Sequence, residues 1–347
     1  MAIERRGKSV EGITYYSGKT GAMPVGAAVG NVIYQFALER FSRGLDQAHN
    51  LQPATDGEKA AIRNKLLQHI GNDAGEFKEQ IFIKPNGKKR RLIILENSFA
   101  KGGESEVQLA ATRNKIGELK FWALVQPLTP NIPKNQIERV LSRLPKHKRI
   151  NVKTYFLDEG KTIRRFADNG DLTKCFYLYE SKDVPAIAQS LIDVCVAFWE
   201  KGYVHLDLKL ENFLVDRDEK FFLSDFGFAE KYTPGLRPLN KGTFRALPFN
   251  YQSTDYRHAD FHALGVMLLE IYLGEFYTVE AFGGWETIVE HYHPALRARL
   301  KELKETPAES ESETQLKQLI IQLIEAPETV RLSALKTALD SHFSKKI

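Results

Sequence analysis

The chain has 347 residues, 43% hydrophobic and 27% charged, the proportions of a globular protein with room for one large domain or two ordinary ones. Its formal net charge of +5 favours anionic partners such as nucleotide phosphates, but is too small to argue for nucleic acid as a partner. Two cysteines, Cys175 and Cys195, cannot build a disulfide framework and are expected to pack as small hydrophobes.

Residues 1–80 carry no recognisable chemistry and read as a helical N-terminal extension, with helices over Asn31–Arg43 and Gly57–Ile70. Pro53-Ala54-Thr55-Asp56 marks a break and a cap before the second helix. The uncharged run 21–38 is only just long enough to span a bilayer and contains Pro24, Asn31 and Gln35, so a buried or amphipathic helix is expected and no transmembrane span. It also starts too late for a simple signal peptide. From Gln80 the texture changes to strands. Ile81–Lys84 and Lys88–Leu95 flank Pro85-Asn86-Gly87, the signature of a hairpin with an Asn-Gly turn. Ala186–Lys201 has apolar residues at helical spacing and Gly202 just past its end. Phe213–Val215 and Phe221–Leu223 are short apolar runs on either side of a polar turn, Asp216–Lys220. Glu305–Glu313 reads as a solvated acidic loop.

The most informative stretch is Val204-His205-Leu206-Asp207-Leu208-Lys209-Leu210-Glu211-Asn212, followed by Ser224-Asp225-Phe226-Gly227. Asp207 and Asn212 are five apart and Asp225 follows thirteen later. Either aspartate alone could be an ordinary turn residue beside a strand. An aspartate, a lysine, an asparagine and a second aspartate, in that order and framed by apolar strand residues, form a set suited to phosphoryl transfer.

The pattern resembles the catalytic loop and metal-binding loop of eukaryotic-like Ser/Thr protein kinases, which read HRDLKxxN and then DFG. The resemblance implies an α+β, bilobal protein-kinase-like fold: a helical extension over 1–80, a small β-rich N-lobe over 81–172 and a larger helical C-lobe over 173–347. It implies ATP as phosphate donor, Mg2+ or Mn2+ as cofactor, and a protein substrate. Asp207 would be the catalytic base, Lys209 the γ-phosphate contact, and Asn212 and Asp225 the metal ligands. Gly102, Gly103, Val107, Ala123 and Leu214 would line the nucleotide pocket. Within the same resemblance, Ser98–Ala111 would be the phosphate-covering loop between two strands, Leu119–Gln126 the third strand and Gln136–Leu144 the N-lobe helix. Asn151–Leu157 and Lys161–Phe166 would be the last two strands, and Ala167–Leu172 the hinge. Asp260 would anchor the catalytic-loop backbone, Gly242-Thr243 would open the peptide-substrate segment, and His205 would be a packed core residue.

The chain also departs from this pattern. Its phosphate loop is poor in glycine, with Ala100 and Ser105 at the outer glycine places. Val125 stands where the third strand should carry a lysine, which leaves Glu138 without its usual ion-pair partner. Lys101 or Lys120 could substitute, although strand alternation puts Lys120 and position 125 on opposite faces. Leu206 replaces the arginine that meets a phosphorylated activation loop, which suggests activity independent of such a phosphate. Leu247-Pro248-Phe249 replaces Ala-Pro-Glu, so Arg331 has no glutamate there and the activation segment is expected to be held by apolar packing.

Two rival readings accompany the active Ser/Thr kinase. One is a pseudokinase serving as a nucleotide-binding or scaffolding module, which Val125 favours. The other is a small-molecule kinase of the aminoglycoside or choline type, which Lys209 and Gly242-Thr243 disfavour. The basic clusters Lys88–Arg91 and Lys146–Arg149 are either a site for a polyanionic activator (an inositol phosphate or acidic lipid) or solvated strand ends and loops. The divergent N-lobe, Leu206 and the extension resemble kinases that bacterial pathogens deliver into host cells. That analogy implies a cytoplasmic protein, secreted by a bacterium into the host cytosol.

Overall fold

The computed structural model describes residues 8–10, 13–17, 54–57, 59, 76–83, 89–101, 105–113, 119–128, 136–144, 150–157, 160–167, 169–176, 179, 183–216, 218–235, 248–250, 254–279 and 288–336. In chain order the strands are β1 (Lys8–Val10), β2 (Ile13–Ser17), β3 (Phe77–Ile83), β4 (Lys89–Lys101), β5 (Ser105–Arg113) and β6 (Leu119–Pro127). Helix α1 (Gln136–Leu141) precedes β7 (Thr154–Phe156), β8 (Thr162–Arg165) and β9 (Gly170–Asp171). Then come α2 (Val184–Trp199), β10 (Tyr203–Val204), β11 (Phe213–Val215), β12 (Phe221–Leu223) and β13 (Glu230–Lys231). The chain continues through α3 (Tyr256–Leu273), β14 (Glu275–Val279), α4 (His293–Glu305) and α5 (Glu311–Glu325).

These elements form two compact units. The sheet unit takes residues 23–174 and 214–224; the helical unit takes residues 1–22, 175–213 and 225–347. In the sheet unit six antiparallel strands run in the order β3-β4-β5-β6-β8-β7. One face carries the core cluster Leu92, Ile94, Ala110, Trp122, Leu124 and Ile163. Alternation then puts Val107, Ala123, Val125, Thr162 and Arg164 on the other face, as the cross-strand pairs Val107↔Val125, Val125↔Thr162 and Ala123↔Arg164 require. The hairpin expected around Asn86-Gly87 forms as β3–β4, paired from Phe77↔Leu95 to Ile83↔Lys89. Strand β4 runs on to Lys101 through two register irregularities, so strand occupies part of the expected phosphate loop. Helix α1 ends at Leu141, three residues before the expected boundary.

The helical unit is built on α3. Its residues from Ala259 to Ile271 are all buried, as befits a helix surrounded by protein on every side. Asp255 caps its start by accepting from the Arg257 and His258 N–H groups, and Gly274 closes it in the left-handed conformation at φ 64°. Gly265 lets α5 approach closely: a Cβ there would lie 2.7 Å from Leu323 Cβ and 2.8 Å from Ile324 Cγ1.

One part of the extension differs from expectation. β1 and β2 lie within the segment read as helical, and β2 pairs with β14 from Ile13↔Val279 to Ser17↔Glu275. Ile13-Thr14-Tyr15-Tyr16 is rich in β-branched and aromatic residues, a strand preference that a distant partner strand satisfies. The expected helix over Asn31–Arg43 and the uncharged run 21–38 lie outside the described residues. Gly57 and Lys59, from the second expected helix, are helical, with the Lys59 N–H donating to the Thr55 carbonyl at 3.0 Å. Among the described residues no helix is long and apolar enough to cross a membrane.

Candidate active site

The catalytic-loop motif starts where α2 stops. Gly202, at φ 79°, turns the chain into β10, which pairs with β13 through Tyr203↔Lys231 and Val204↔Glu230. This ladder ties the start of one motif to the residues just after the other. Next, the His205 and Leu206 N–H groups donate to the Asp260 carboxylate at 2.6 and 2.7 Å, and Trp199 Nε1 donates to it at 2.9 Å. Asp260 is 1% exposed. Burial pushes its carboxyl above the usual carboxylate range, against the opposing pull of His205 and the three donors. An aspartate from the second turn of α3 thus supplies the acceptors that the turning loop backbone needs. The His205 ring is buried, with its centroid 5.9 Å from that of Phe198 and 5.5 Å from that of Phe226, a packed core residue as the resemblance implied.

Asp207 is 3% exposed. Lys209 Nζ lies 2.9 Å from its Oδ2. Asn212 Nδ2 donates to the Asp207 carbonyl at 2.8 Å and to its Oδ2 at 3.1 Å. A single 3-10 turn, Leu210–Asn212, brings the amide back to the aspartate. Asp207, Lys209 and Asn212 therefore form one hydrogen-bonded group. Asp225 follows β12 and is exposed, while Phe226 beside it is buried, its ring centroid 5.7 Å from that of Phe198. Leu206 (φ 61°) and Asp225 (φ 55°) both adopt the left-handed conformation that non-glycine residues avoid. Such strain costs on the order of 1–3 kcal/mol and clusters at functional sites.

Asn212 turns its amide nitrogen to Asp207, so its oxygen is the end able to ligate a cation. The Asp225 carboxylate is exposed and offers a second hard oxygen donor. Among the described residues no group of three or more His, Cys, Asp or Glu could hold a metal by itself. A pair fits Mg2+ or Mn2+ shared with phosphate oxygens, because such ions keep few protein ligands and complete their shell with water and substrate.

In the sheet unit, Val107 and Ala123 share a sheet face, and Leu214 pairs with Asp171 between β11 and β9. Gly102 and Gly103 lie outside the described residues. Position 125 is a valine on the face of Val107 and Ala123, and Lys120 is exposed opposite Thr112. Glu138 does not lack a partner. It is 2% exposed and accepts from Arg164 at 3.0 Å and from the Thr154 hydroxyl at 3.2 Å. The usual lysine is absent, as expected, and a cation on the neighbouring strand of the sheet reaches Glu138 instead, a pairing no local motif reveals.

Of the segment expected to be held by apolar packing, residues 248–250 are described. Phe249 packs edge-on against His262 and His293, with ring centroids 5.8 and 4.9 Å away, and the Arg297 guanidinium lies 4.5 Å from its ring centroid. Gly242-Thr243 lies outside the described residues. Of the basic clusters, Arg91 is engaged by Glu79 at 2.8 Å, which favours a structural role for that residue; Lys146–Arg149 lies outside the described residues.

The sequence model of the protein kinase domain matches residues 134–343, more than half of the chain. The chain belongs to the protein kinase family, and its α+β architecture of an antiparallel sheet unit and a helical unit is that family's fold. Among curated relatives, it is 31% identical to the serine/threonine-protein kinase STY46 of Arabidopsis thaliana over 149 residues, covering 37% of this chain and 26% of that protein. It is 29% identical to the serine/threonine-protein kinase SIK2 of Gallus gallus over 199 residues, 52% of this chain and 24% of the relative. It is 34% identical to the cAMP-dependent protein kinase catalytic subunit 3 of Drosophila melanogaster over 110 residues, 29% of this chain and 19% of the relative. The matched stretch thus spans about a quarter or less of the length of these relatives.

Proposed function

We propose that this protein transfers the γ-phosphate of ATP to a serine or threonine hydroxyl of a protein substrate. The observation that carries the reading is the buried Asp207 carboxylate, held at once by Lys209 and Asn212 on a loop whose backbone hangs from Asp260. In the reaction the substrate hydroxyl oxygen bonds to the γ-phosphorus, the bond to the β–γ bridging oxygen breaks to release ADP, and the hydroxyl proton passes to Asp207. Asp207 orients that hydroxyl, and Lys209, beside it, meets the charge that shifts onto the transferred group. Asn212 and Asp225 would hold Mg2+ or Mn2+, which supplies charge neutralisation to the phosphates when bound. Gly102, Gly103, Val107, Ala123 and Leu214 are assigned to the nucleotide, on the strength of the resemblance and of the sheet face that Val107 and Ala123 share. Lys209, two residues after the base, supports Ser/Thr over Tyr. The names of the relatives point the same way.

The test is labelled ATP with Mn2+ or Mg2+ and a protein extract as acceptor, comparing the native chain with Asp225→Ala. Transfer by the native chain and none by the variant is expected; equal rates would sink the assignment. A second reading, a pseudokinase scaffold, draws on Val125. It is separated by thermal shift, since a ligand that binds only the folded state raises its melting temperature. No shift at millimolar ATP with either metal favours the scaffold.

A further inference from the structure

Glu138, Thr154 and Arg164 form a buried polar group on the sheet face that carries Ala123 and Val125. Arg164 pairs across the ladder with Ala123, and Thr162 with Val125, so Arg164 is the diagonal neighbour of position 125. Diagonal neighbours in a sheet lie about 7–8 Å apart at Cα, within reach of an arginine side chain. Arg164 spends one donor on Glu138, at 3.0 Å. Its Nε is buried and, among the described residues, has no hydrogen-bond partner. The same holds for the Thr162 hydroxyl, on a residue that is 1% exposed. Two unpartnered polar groups two residues apart on one strand face are costly in a folded protein unless an acceptor arrives from outside. A guanidinium has five N–H donors in a planar fork that matches phosphate oxygens, so it can hold a carboxylate and a phosphate together.

From this we infer that Arg164 on β8 is the phosphate-holding cation of the nucleotide site, replacing from the neighbouring strand the lysine that position 125 lacks. Glu138 orients it, as it would have oriented the lysine. The ligand class is a nucleoside triphosphate. The inference rests on the kinase reading, but concerns residues to which that reading gives no role.

The test is the affinity of the full chain for a fluorescent ATP analogue with Mn2+. Arg164→Met should weaken binding by roughly tenfold to a hundredfold, the size of a lost charge-assisted contact. Adding Val125→Lys to that variant should recover most of the loss. Removing one member of a buried pair strands the other, so the Glu138→Gln/Arg164→Met double variant is measured too and should show the same loss while staying folded. Affinity within twofold of native in either folded variant overturns the inference, as does a loss that follows Lys101→Ala instead. Both failures are distinct from failure of the kinase reading, which shows as a native chain that binds no nucleotide and transfers no phosphate.

Discussion

The helical unit and the sheet unit solve the same problem in opposite ways. In the helical unit the groups assigned to chemistry, Asp225 apart, sit within one short loop, Asp207 to Asn212, and one distant residue, Asp260, fixes that loop's backbone. In the sheet unit the charged group is assembled from a helix and two strands, with Glu138, Thr154 and Arg164 each from a different element. A loop can be read from residue spacing. A cluster assembled across strands depends on pairing register, and slipping the register by one residue would turn Arg164 to the opposite face.

The comparison can be broken at several points. The largest effect is expected at the loop itself: Asp207→Ala should lower phosphate transfer roughly a hundred- to ten-thousandfold, as for loss of a positioned base, with the melting temperature little changed. A variant with near-native turnover would remove the loop from the chemistry. Next is its anchor. Asp260→Ala strands three buried N–H donors at about 1–3 kcal/mol each. Chemical denaturation should report a loss of several kcal/mol, and turnover should fall with it. A stable, active Asp260→Ala protein would mean that the loop holds its own shape.

Gly265→Ala tests the helix packing beneath. The added methyl meets Leu323 and Ile324 at under 3 Å, and overpacking of this kind costs about 1–3 kcal/mol. Denaturant midpoints should fall without a change in catalytic constants per folded molecule.

The last effect is absent at neutral pH and concerns acid stability. Burial lowers the His262 ring from 6.5 to about 3, opposed by its Nδ1–H donation to the Ile324 carbonyl and reinforced by the nearby His293. The native state keeps this ring neutral, while the unfolded chain protonates it below about pH 6.5. Its contribution is therefore complete above pH 6.5 and declines as pH falls towards about 3, by up to about 1.4 kcal/mol per pH unit. His262→Asn should flatten the stability profile across that window. An unchanged slope would show that another group carries it.

The grouping of Asp207, Lys209 and Asn212 was legible because their spacing is local: the three meet through a single tight turn. The β3–β4 hairpin and helix α2 were legible for the same reason, through an Asn-Gly turn and helical periodicity. Strand β2 was not, because its partner β14 lies more than 250 residues away in sequence, and β1 joins the sheet through β2. The partner of Glu138 was hidden as well, since Arg164 in isolation is one basic residue in a short strand.

By itself, then, the sequence determined the family and the order of its chemical groups, since short-range spacing survives any arrangement of the rest of the chain. Tertiary structure alone decided which cation faces Glu138 and what holds Phe249 in place. Each of these is a contact between groups far apart along the chain, created by sheet register or helix packing.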